Sequence, residues 1–85
     1  MNGLLVVVGS ITSATRLAKR LVKYGDKNAR VISTPTQLGG GGCSYSVTAS
    51  LTSEQFIRNN SDGMSIKHIY IEEKNGKERY FRDIS

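Results

Sequence analysis

The hydrophobic positions change period along the chain, and each change marks an element. Leu4-Leu5-Val6-Val7-Val8 is an unbroken apolar run closed by Gly9. It predicts a strand that is buried on both faces or central in a sheet. Ser10 then offers an N-cap. Ile11, Ala14, Leu17, Ala18, Leu21 and Val22 follow at helical spacing, with Arg16, Lys19, Arg20 and Lys23 on the opposite side. That pattern predicts an amphipathic helix ending near Tyr24, with Gly25 just past its end. The stretch 29–34 reads as a second strand, stopped by Pro35, which cannot donate to a ladder. Residues 36–42 read as a loop. Beyond it, Tyr45, Val47, Ala49 and Leu51 alternate with Ser44, Ser46, Thr48 and Ser50. Period two predicts a strand with one buried and one polar face, starting at or after Ser44.

Thr52-Ser53-Glu54-Gln55 has the form of a capping box, with Thr52 as N-cap, Gln55 at N3, and Leu51 and Phe56 as the hydrophobic staple. The helix it opens is short, because 59–63 (Asn-Asn-Ser-Asp-Gly) is a breaker cluster. The stretch 65–73 predicts a strand, Asn75-Gly76 a hairpin turn, and 77–84 the returning strand. A two-residue loop at Asn75-Gly76 sets Lys74 against Lys77 and Glu73 against Glu78, both like pairs. A turn bulged at Gly76 sets Glu73 against Lys77, and is the favoured reading.

The order β-α-β-β-α-β-β predicts an α/β (α+β) two-layer sandwich. Its plan is the ferredoxin-like split βαβ, with an extra C-terminal hairpin strand at the edge. The helices cover one face and leave the other open or covered by a partner. A chain of 85 residues makes one domain, 1–85. Such a domain buries only a little over ~60% of its unfolded surface, which supports one modest core.

Twelve Lys and Arg against seven Asp and Glu leave a net charge of +5, which favours anionic partners without choosing among them. A single cysteine excludes an intramolecular disulfide and any all-cysteine metal site. His68 is the only histidine, so no metal is expected, and no cofactor is called for. No signal peptide is visible, and Leu4–Val8 falls far short of the ~20 residues of a membrane span. The expectation is a cytoplasmic protein, with no membrane partner, whose thiol stays reduced.

The most unusual stretch is Gly39-Gly40-Gly41-Gly42-Cys43-Ser44, four glycines directly before the only cysteine. A phosphate loop is excluded in form, because that loop leads into a helix through Lys-Ser/Thr, whereas this run leads into a strand. Side-chain-free residues before Cys43 leave a sulfur uncrowded, and their N–H groups suit an anionic thiolate. Buried cysteines are equally common, so reactive and structural readings both stay open on these grounds. Nucleic acid is not the expected partner: an RNA-recognition sheet needs stacking aromatics, and Leu4–Val8 has none.

The segment Thr34-Pro35-Thr36-Gln37-Leu38-Gly39-Gly40-Gly41-Gly42-Cys43-Ser44-Tyr45-Ser46-Val47 resembles the small bacterial proteins described as putative selenium/sulfur carrier protein-like. The resemblance extends through Leu4–Val8, the helix with Ala14 and Leu17-Ala18, and Arg30–Pro35, covering most of residues 4–71. It implies a two-layer α/β protein with Cys43 as the carrier position. Where relatives often have Gly after the cysteine, Ser44 stands here. Thr36 stands where some have a second cysteine, so a partner must resolve a persulfide.

Two readings follow. In the first, Cys43 takes sulfur or selenium from a donor such as a cysteine desulfurase and passes it to an acceptor protein. Gly39–Gly42 and Ser44 would support the thiolate, Thr34-Pro35 would fix the loop's base, and Arg16, Lys19, Arg20 and Lys23 would dock an acidic partner. This is a carrier or accessory role rather than that of a stand-alone enzyme. In the second, the chain is a non-catalytic ligand- or protein-binding module with Cys43 packed as a structural residue. Exposed strand edges permit a homodimer in either case.

Overall fold

The computed structural model describes residues 2–38, 44–59 and 66–85. The N-terminal apolar run forms β1 (Asn2–Val8). After it come α1 (Ile11–Tyr24), β2 (Arg30–Ser33), β3 (Tyr45–Ala49), α2 (Glu54–Asn59), β4 (Ile66–Asn75) and β5 (Glu78–Asp83). Short 3-10 turns at Thr36–Leu38 and Leu51–Ser53 precede β3 and α2. Among the described residues the fold is α+β. It has one antiparallel sheet of five strands in the order β2-β3-β1-β4-β5, and two helices.

Central position explains the composition of β1. Leu4 to Val8 are all buried, as an apolar run with no polar alternation requires. Leu4, Val6 and Val8 join Ala14, Leu17, Ala18 and Leu21 of α1, with Val47, Ala49, Ile57 and Ile69, in the core between sheet and helices. Alternation sends Leu5 and Val7 to the other face, yet they are only 1% and 7% exposed. The face predicted to be open is therefore closed at its centre by the chain itself. Leu5 and Val7 pair with Tyr70 and His68 on β4. The Tyr70 ring meets Phe81 of β5 edge-on, with centroids 6.4 Å apart. Gln37 Nε2 donates to the Arg79 carbonyl at 3.4 Å. The turn after β2 thus touches β5, although these strands are the two edges of the sheet.

The ends of α1 follow from local chemistry. Ser10 accepts from the Ser13 N–H at 3.1 Å as N-cap. At the other end Gly25 takes φ +116. Its N–H reaches the Val22 carbonyl at 3.0 Å, and that of Asp26 reaches Leu21 at 2.9 Å, which is the Schellman pattern.

Two local expectations are corrected. The capping box does not form: Thr52 lies inside the 3-10 turn, and Leu51, predicted on the buried face of β3, is 40% exposed. A carboxylate from elsewhere binds the serines of that turn instead. Asp26 accepts from Ser50 N (2.8 Å), Ser50 Oγ (3.0 Å), Ser53 Oγ (2.6 Å) and Asn28 N (3.0 Å). A charged acceptor binds these donors more strongly than a threonine hydroxyl would. Phe56 stacks on Tyr24 at 4.3 Å rather than serving as a staple to Leu51.

The β4–β5 register also differs from both readings of the hairpin. Asn75 pairs with Glu78 and Lys74 with Arg79, so Gly76 and Lys77 make the turn. Gly76 has φ +67 and Lys77 has no positive φ, the pattern of a type II′ turn with glycine first. Lys74 then faces a like charge. Arg79 relieves it by turning diagonally to Glu72, its Nε 3.1 Å from Oε2.

Candidate functional site

Thr34 is held at the end of β2 by the proline that follows it, since a residue before proline is biased to extended backbone. Its N–H donates to the Ser44 carbonyl at 3.2 Å. Its Oγ1 lies 2.7 Å from Ser46 Oγ, and both residues are buried. Pro35 accepts from the Leu38 N–H at 3.0 Å, closing the turn Thr36–Leu38. The segment that leaves at Thr34 therefore returns at Ser44 through a main-chain bond, with a hydroxyl pair buried beneath it. Cys43 and Gly39, Gly40, Gly41 and Gly42 lie outside the described residues.

This base has a defined place on the sheet. Ser33 pairs with Tyr45, and Tyr45 with Val8. Val8 leads through Gly9 and Ser10 into α1. Thr34, Ser44 and the start of α1 thus share one end of the sheet. Arg16, Lys19, Arg20 and Lys23 are exposed, and Ile11–Tyr24 contains no acidic residue. Helical spacing lays them along a stripe that runs away from that end, about 10 Å from first to last. The fold therefore does not gather the four around Thr34 and Ser44. Arg16 is nearest along the helix.

On the face away from the helices, His68 Nδ1 stands 3.3 Å from Asp83 Oδ2, with both side chains half-exposed. The Ser85 hydroxyl and N–H, then His68, hold the Asp83 carboxyl below its ordinary value. The Asp26 carboxyl is subject to burial, which raises it, but donors from Ser53, Ser50 and Asn28 outweigh this and lower it.

A second set of cations, Lys27, Arg30 and Lys74, lines a cavity at the opposite end of the sheet. No periodic signal marks them, because three separate elements contribute them. Among the described residues, no three His, Cys, Asp or Glu side chains gather as a metal ion would require. No described helix is long and apolar enough to cross a membrane.

The family described as Putative Se/S carrier protein-like matches residues 3–71. Neither the curated proteins nor the solved structures contain a significant match.

Proposed function

The chain belongs to the Se/S carrier protein-like family, and we propose on that footing that it carries sulfur or selenium on Cys43 between two protein partners. The observation that carries this reading is the family match over a stretch that includes the chain's only cysteine. The hydrogen-bonded base at Thr34 and Ser44 supports it, since it holds together two residues that flank the segment bearing the thiol.

The chemistry is an exchange with no net oxidant. The Cys43 thiolate attacks the terminal sulfur of a donor persulfide, such as that of a cysteine desulfurase. A new S–S bond forms, the donor's S–S bond breaks, and the donor leaves as a thiolate. The transferred sulfur keeps its proton, giving Cys43–S–SH. An acceptor thiolate then attacks the same sulfur and regenerates the Cys43 thiolate. Selenium follows the same course from a perselenide donor. N–H groups of Gly39–Gly42 stabilise the thiolate. The α1 stripe docks an acidic patch on donor or acceptor, Arg16 being closest to the loop's end of the sheet. A reducing cytoplasm keeps the thiol available.

The sheet fits the same reading. An antiparallel order with β1 between β3 and β4, and β5 added outside β4, supports a ferredoxin-like plan with one extra edge strand.

Native-state alkylation tests the accessibility this role requires. Cys43 reacts with iodoacetamide in the folded protein at a rate near that of the unfolded chain. Reaction only upon unfolding would identify a packed, structural cysteine and remove the carrier reading.

A further inference from the structure

A surface cavity of about 360 Å³ opens on the sheet at the end opposite Thr34 and Ser44. Gly3 of β1 lines it, and a Cβ there would crowd the Ala49 carbonyl oxygen at 3.1 Å. Lys27 reaches it from the turn after α1, Arg30 from the start of β2 and Lys74 from the end of β4. Among the described residues none of the three is in an ion pair. Glu72 is the one carboxylate in the lining, and Arg79 engages it.

The neutral polar groups of the lining are already committed. Asn28 Nδ2 donates to Ser50 Oγ at 2.9 Å, Thr48 Oγ1 to the Asn28 carbonyl at 3.1 Å, and Ser50 Oγ to Asp26. What remains to meet a ligand is cationic.

We propose that this cavity binds a phosphate-bearing small molecule, with the phosphate held by Lys27 and Arg30, which line it from one side. A single carboxylate would leave one of these two charges unmatched, whereas a phosphate dianion matches both. The Arg30 guanidinium offers the forked donor geometry that phosphate accepts. The volume lies in the range of small-ligand sites, roughly 300–1,000 Å³, and Ala49 and Leu51 in the lining give a non-ionic remainder apolar surface. The proposal is independent of Cys43 and of the carrier reading.

The test is a titration of the isotope-labelled full chain, followed by amide NMR at near-physiological salt. Inorganic pyrophosphate, a nucleoside diphosphate and a short single-stranded RNA are added separately. Saturable binding of the first two is expected, with shifts at Gly3, Asn28, Thr48 and Glu72. Lys27→Gln/Arg30→Gln weakens it by about tenfold or more, while Lys67→Gln/Arg82→Gln, with the same charge change, leaves it intact. Equal affinities identify the phosphate as the recognised group, and a tighter nucleoside diphosphate identifies a phosphate ester. Absence of saturable binding, shifts confined to α1, equal loss in both double variants, or RNA binding alone would overturn the proposal.

Discussion

The hydroxyls of Thr34 and Ser46 lie 2.7 Å apart, buried where the segment between β2 and β3 leaves and rejoins the sheet. Each satisfies the other in a place water does not reach. Thr34→Val or Ser46→Ala alone strands one hydroxyl, at a cost of about 1–3 kcal/mol. The double variant replaces both partners and restores most of that loss. Urea unfolding of the four proteins gives the coupling directly; additive losses would mean that the two hydroxyls do not bond.

Asp26 ties the end of α1 to the turn before α2 through three hydrogen bonds accepted from Ser50 and Ser53, and accepts a fourth from Asn28 in its own turn. Its folded-state carboxyl is lowered from 3.8, so in acid the unfolded chain binds the proton more readily than the folded one. The stabilisation is complete above about pH 4 and declines as pH falls through the lower folded value. Asp26→Asn therefore loses about 2 kcal/mol at neutral pH, and its deficit against the parent shrinks toward pH 2. Urea midpoints across that range check it. A deficit unchanged with pH would mean that charge is not what the serines recognise.

Leu5 belongs to a closed face, and that has an energetic signature. Leu5→Ala is expected to cost as much as Leu17→Ala in the helix-side core, about 2–5 kcal/mol each. Thermal unfolding compares them. A Leu5 variant close to the parent would mean that this face is solvated after all.

Local patterns made β1 and α1 legible from the chain alone. An unbroken apolar run specifies a central strand, and Ser10 and Gly25 supply caps from within the helix's own sequence. The start of α2 was not legible in the same way, because the turn leading into it is anchored by Asp26, a residue on the far side of β2 and β3. Glycine at the first turn position set the β4–β5 register, and no local charge count finds the diagonal Arg79–Glu72 pair. Gln37 meets Arg79, 42 residues away, a contact that no local pattern announces. At the candidate site, Thr34-Pro35 and Ser44 stood out in the sequence. The Thr34–Ser46 bond needs the β2–β3 register, and Lys27, Arg30 and Lys74 come to line one cavity only through the sheet.

The carrier role is tested most directly by the mass of the intact protein. The protein is incubated with a cysteine desulfurase and cysteine, then compared with the Cys43→Ala variant treated identically. A gain of one sulfur atom is expected on the parent, lost on adding a thiol reductant, and no gain on the variant. No gain on the parent, or an equal gain on both, would contradict it.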